Sequence, residues 1–89
     1  MHSMTLEQFR TTHQAGGFSA AQLEASGKGF FIIADSRTGG RVVLVRHSDR
    51  KPRVFIDPGT AIRLLHDVGF GSVSVDMAAW RPNQHSAAV

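Results

Sequence analysis

The stretch Arg53–Met77, RVFIDPGTAIRLLHDVGFGSVSVDM, reads as strand, helix, strand, with both helix ends written into it. Val54 and Ile56 alternate with Arg53 and Asp57, the period-2 pattern of a half-buried strand. Asp57 is a good N-cap, because its carboxylate can accept a hydrogen bond from an orphaned amide of the first turn. Pro58 follows where its missing N–H costs nothing and its fixed φ suits a helix. Ala61, Leu64, Leu65 and Val68 form one apolar stripe, widened by Ile62. Gly69 offers the left-handed residue that ends a helix, and Phe70 can fold back on the last turn. Val73, Val75 and Met77 then alternate with Ser72, Ser74 and Asp76, as in a strand with one buried face. The spacing predicts a helix over about 58–68 and a final strand over about 72–77.

Upstream, Thr5-Leu6-Glu7-Gln8 fits a capping box, and Leu6, Phe9 and His13 share a face. This predicts a helix from about Leu6 to Gln14, ended by Gly16-Gly17 and too short to hold without docking. Phe18–Ala25 is ambiguous. Its alanines, Leu23 and Glu24 favour helix, but the next strand follows closely and tertiary context overrides propensity, so an edge strand is preferred. Phe30–Ala34 is a continuous apolar run of strand length, expected to be the most buried strand. Gly39-Gly40 makes a turn, and Val42–Val45 returns between Arg41 and Arg46. Short connections favour an antiparallel meander. The expected fold class is therefore α+β: a short N-terminal helix, a three- or four-stranded meander covered by one helix, and a final strand. Residues 1–82 form the single domain and 83–89 a flexible tail. Met1-His2-Ser3 reads equally as an upstream start or as an added leader.

A chain of 89 residues buries only about 60–65% of its unfolded surface, so its core is thin and a dimer would help it. It has no cysteine, hence no disulfide frame and no thiolate metal site. No apolar run approaches the ~18 residues of a membrane span, and no signal peptide is visible. A cytoplasmic setting with no membrane partner is the expectation. The net charge is +3, but its layout matters more. Residues 37–53 hold Arg37, Arg41, Arg46, Arg50, Lys51 and Arg53 against Asp49 alone, a local +5, while the rest of the chain has four bases against six acids. Such polarity favours an anionic partner.

Chemical motifs are weak. His47-Ser48-Asp49 sets three triad residue types side by side, but triads are assembled from distant segments, so a polar turn is the better reading. The five histidines, His2, His13, His47, His66 and His85, lack i, i+3 or i, i+4 pairing, and zinc needs three or four convergent ligands. Asp57 is explained by its cap. Gly27-Lys28-Gly29 and Gly39-Gly40 are too short for a phosphate cradle and suit hairpin turns. No catalytic, metal or cofactor site is assigned, and the chain is not read as an enzyme. The basic segment remains. Arg46, Arg50, Lys51 and Arg53 at one end of a hairpin, with Arg37 and Arg41 at the other, could track phosphates without reading sequence. No aromatic interleaves them, so base stacking is not indicated. Charged hairpins also serve simply to keep sheet edges soluble. Phe70 and Trp80 are candidate interface anchors, with a core lid as the alternative for Trp80.

Taken together, the TLEQFR helix, the run GGFSAAQLEASGKGFFIIADSRTGGRVVLV and the segment PRVFIDPGTAIRLLHDVGFGSVSVDMAAWRP resemble small plasmid partition-associated proteins called ParC, found in bacterial mobile elements and distinct from the topoisomerase subunit of that name. The resemblance spans residues 4–82. It implies a bacterial, plasmid- or integrative-element-borne accessory encoded near partition or stability genes; joined to the basic hairpin, the leading expectation is a cytoplasmic, non-enzymatic role in mobile-element maintenance, with DNA, an acidic partner or a protein encoded nearby as partner. It carries over no site residue. A homodimerising interaction module without nucleic-acid affinity is the competing expectation.

Overall fold

The structure is a computed structural model, and it describes residues 1–82. Residues 83–89, expected as a flexible tail, lie outside the described residues.

Both helices form where their caps predict. The first, α1 (Leu6–Gln14), starts on a complete capping box: the Gln8 N–H donates to Thr5 Oγ1 and the Thr5 N–H donates to Gln8 Oε1 at 3.0 Å. The second, α2 (Pro58–Val68), starts where Asp57 accepts from the Gly59 N–H at 3.0 Å and from the Thr60 hydroxyl at 3.1 Å. It stops at Gly69, whose φ is +127°. The N–H groups of Gly69 and Phe70 both donate to the Leu65 carbonyl, satisfying an oxygen the helix cannot. A Cβ at Gly69 would come within 2.7 Å of the His13 ring, so the stop also fixes how closely α1 and α2 approach.

The chain is α+β, but the sheet is larger and less uniform than a meander. Its strands are β1 (His2–Met4), β2 (Phe18–Ser26), β3 (Gly29–Ser36), β4 (Arg41–Leu44) and β5 (Ser74–Asp76), in the order β1-β4-β3-β2-β5. The β2–β3 and β3–β4 hairpins are antiparallel, as expected. Both edges are parallel additions: β1 beside β4, and β5 beside β2. The expected three- or four-stranded antiparallel meander is thus corrected to a five-stranded mixed sheet. Residues 2–4, too short to signal a strand, gain their order from β4. The ambiguous segment is β2, a strand as preferred but not the edge strand expected: it pairs with β3 on one side and β5 on the other, which satisfies its backbone more completely than an isolated helical turn could.

Both helices cover one face of the sheet. Leu23, Ala25, Phe30, Ile32, Ala34, Val42 and Leu44 point into that side and meet Phe9 of α1 and Ala61 and Leu65 of α2. Phe9 is fully buried, its ring 4.8 Å from Phe18 and 6.0 Å from Phe70. Ile62, expected to widen the buried stripe, is 43% exposed.

The flanks of α2 depart from their reading. Val54 and Ile56 were the expected buried positions of a strand, yet they are 54% and 66% exposed, and Phe55 between them is buried. Residues 52–56 form no strand. Two isolated bridges, Pro52 to Val45 and Phe55 to Phe30, tie them to the sheet. Phe55 exchanges both backbone hydrogen bonds with Phe30, each at 2.9 Å, which sets its ring on the same, core-facing side as that of Phe30 and turns Val54 and Ile56 away. On the far side of α2, β5 spans only Ser74–Asp76, shorter than the 72–77 expected. Its Val75 lies beside Leu23 yet stays 42% exposed at the sheet edge, and Met77 is 59% exposed.

Candidate nucleic-acid interface

The six bases of the basic segment sit at two ends of β4. About five residues of extended chain, roughly 17 Å, separate Arg41 from Arg46. At the first end, Arg37 is exposed in the β3–β4 turn and Arg41 is engaged by acids. Its guanidinium lies 3.3 Å from Glu24 and 3.6 Å from Asp35, with all three side chains about half-exposed.

At the second end the chain closes a compact loop. The Arg46 N–H donates to the Lys51 carbonyl and the Arg50 N–H to the Arg46 carbonyl, both at 2.8 Å. Asp49 organises it. One carboxylate oxygen accepts from Arg46 Nε at 3.1 Å and from the Lys51 N–H at 3.1 Å, and the other accepts from Arg46 Nη2 at 2.6 Å. The hydrogen bond from Arg46, then that from the Lys51 amide, hold the Asp49 carboxyl below its ordinary value of 3.8. The result is a fork-to-fork pair that fixes the guanidinium plane. Arg50 closes the loop with φ +57°, the left-handed region, and is the only non-glycine residue with positive φ among the described residues. Such a conformation costs a side-chain-bearing residue about 1 kcal/mol or more. Arg50 and Lys51 are exposed, and among the described residues neither makes an ion pair. Arg53 is half-buried, its guanidinium carbon 4.8 Å from the centre of the Phe55 ring.

The structure adds a base that charge counting along the chain left out. Parallel pairing sets Met4 opposite Leu44, and the Val45 N–H donates to the Met4 carbonyl. The chain therefore leaves β1 for α1 at the point where β4 leaves for the basic loop. Arg10, one turn into α1, comes round to face Arg46, His47 and Arg53 across a groove of about 480 Å³. Glu7 is the single acid lining it, and Leu6 and Val45 contribute its apolar wall. The i, i+4 relation of Leu6 to Arg10 was visible in the sequence, but nothing there placed α1 beside residue 46. Arg37 and Arg41 do not reach this groove.

The other candidates lie elsewhere. Asp57 is engaged at the helix cap. The Asp49 carboxylate is taken by Arg46 and Lys51, so His47-Ser48-Asp49 makes no relay. Among the described residues no three His, Asp or Glu side chains converge as metal ligands. No helix among them is long and apolar enough to cross a membrane. Phe70 is half-buried against Phe9, Phe18 and, at 4.6 Å, His13. Trp80 is half-buried with its ring 5.5 Å from Phe30, and its indole N–H meets no acceptor among the described residues. Both rings lean on the chain's own core.

Comparison with protein-family models, with curated proteins and with solved structures finds no match to this chain.

Proposed function

We propose that this protein is a non-enzymatic binding module that takes a nucleic-acid backbone in the groove between α1 and the 46–53 loop. The observation that carries the reading is the convergence of Arg10, Arg46, His47 and Arg53 on one groove, with Arg50 and Lys51 exposed beside it. Guanidinium groups suit phosphate geometry because they present paired donors in one plane. Asp49 takes Nε and one Nη2 donor of Arg46 and offsets its charge, so it fixes the guanidinium plane, and the attraction for an anion falls to Arg10, Arg50, Lys51 and Arg53. The left-handed Arg50 supports the reading: an arginine held where glycine would be easier is a retained cost, and such costs concentrate at functional sites. With no aromatic interleaved and no side chain placed to enter a base pair, binding is by charge and independent of sequence. The resemblance to ParC-type proteins fits the same role, an accessory in the maintenance of a bacterial mobile element.

The test is a salt titration of binding to a generic duplex. Arg10, Arg50, Lys51 and Arg53, the four bases here without an acid partner among the described residues, should give log K falling with log salt at a slope of about −3 to −4. No binding at low salt would overturn the reading and leave the loop as a solvated face.

A further inference from the structure

The groove between α1 and the 46–53 loop offers more than charge. Leu6 and Val45 give it an apolar wall that a phosphate does not cover, and its volume of about 480 Å³ is that of a small-molecule site. Such a space admits one or two nucleotides and not the width of a duplex. A duplex keeps its bases paired inside, so it meets this groove only at the rim, with its phosphates. A single strand can splay its bases and lay one against the wall.

Two arginines in the groove are held as planes. The Arg53 N–H donates to the Leu44 carbonyl at 3.0 Å, next to the Val45–Pro52 bridge, which sets Arg53 on the helix-covered side of the sheet with Leu44. The Arg53 guanidinium carbon lies 4.8 Å from the centre of the Phe55 ring, and that ring is buried. Arg46 lines the same groove with its plane fixed by the fork to Asp49, which also offsets its charge. A guanidinium plane stacks on a base much as an aromatic ring does. Residues 37–53 hold no aromatic, but these planes supply the flat faces a stacking platform needs, and Phe55 backs one of them.

From this we infer that the preferred ligand of the groove is a single strand. One unpaired base stacks on the Arg53 guanidinium against Leu6, while Arg10, Arg50 and Lys51 take the flanking phosphates. The inference rests on the proposed reading of the groove as a nucleic-acid site and names the form of nucleic acid it takes. Stacking tolerates any base, so binding stays independent of sequence. Charge alone would favour the duplex, which carries the denser line of phosphates and releases more counterions per contact. A preference for the single strand therefore reports the bases.

Fluorescence anisotropy of the full chain tests this with a short labelled strand of mixed sequence that cannot pair with itself, used alone and annealed to its complement in the same low-salt buffer. The single strand should bind at least about fivefold tighter, the low end of what one stacked base contributes. The same strand carrying abasic sites should lose that margin. Arg53→Lys keeps the charge and removes the plane, so it should bring the ratio of the two affinities towards one, with circular dichroism to confirm its fold. Arg37→Lys, outside the groove, should leave the ratio as in the wild type. Failure of both forms to bind overturns the reading of the groove itself and this inference with it. Equal binding, or tighter binding of the duplex, overturns the inference alone. So does a preference that persists in Arg53→Lys or with the abasic strand.

Discussion

The two ends of β4 carry bases in a similar density along the chain, and the fold treats them differently. At the Arg37–Arg41 end, Arg41 crosses the open face of the sheet to Glu24 and Asp35, and Arg37 stands alone in a turn. At the Arg46–Arg53 end, one acid serves to order the loop, and α1 brings a further arginine across to it. Basic residues close in sequence are therefore not a site in themselves. What gives one end a groove is a second element converging on it, and that element arrives through the parallel pairing of β1 with β4.

The contrast can be broken at its strongest point. Reversing charge at Arg46, Arg50, Lys51 and Arg53 together should abolish duplex binding at low salt, a loss of at least about 100-fold. Arg37→Glu should change affinity by no more than about two- or threefold. Electrophoretic mobility shifts on both variants would check this; equal losses would mean that long-range charge, not the groove, drives binding. Arg10→Ala should weaken binding by several-fold and reduce the salt slope by about 1, because it removes one phosphate contact. An unchanged slope would take Arg10 out of the groove's function and leave only the segment the sequence displays.

Two smaller effects sharpen the picture of the loop. Arg50→Gly should relieve a left-handed backbone at an exposed position. We expect thermal stability to rise modestly, by about 0.5–1 kcal/mol once the added freedom of the unfolded chain is counted. Affinity for DNA should fall at the same time. A variant less stable than wild type would show that the Arg50 side chain does structural work. Asp49 gives the smallest effect. Its folded pKa lies below its unfolded one, so its contribution is present above the ordinary carboxylate value and is lost as pH falls through the depressed folded value. Followed by NMR, the Lys51 amide should shift with a midpoint below 3.8, and Asp49→Asn should remove that transition. A midpoint at or above the ordinary value would mean that the fork to Arg46 does not persist in solution.

Legibility varied with how local the determining forces were. The caps of α1 and α2 follow from Thr5, Gln8, Asp57, Pro58 and Gly69, each acting on an amide or carbonyl within five residues, and the structure reproduces their bounds. The apolar run in β3 and the Gly39-Gly40 turn were legible for similar reasons. Val54-Phe55-Ile56 was not. Alternation there fits either parity, and only the site beside Phe30 selects the ring over the two aliphatics. Phe18–Ala25 was balanced between helix and strand, and pairing with β3 decided it. Of the candidate groove, Arg46, Arg50, Lys51 and Arg53 stood out as charge in sequence. Arg10 did not, since it is 36 residues from Arg46, and neither did the separation of Arg37 and Arg41 from the rest.

The sequence alone determined where the two helices begin and end, which strands pair through tight turns, and that the chain is electrically lopsided. Those features depend on near neighbours and on composition. Tertiary structure decided the parallel edges of the sheet, the inward turn of Phe55 that leaves Val54 and Ile56 exposed, and the groove shared by Arg10 with the 46–53 loop. Each depends on which distant backbone groups and apolar surfaces meet, and those meetings exist only once the sheet has closed around its core.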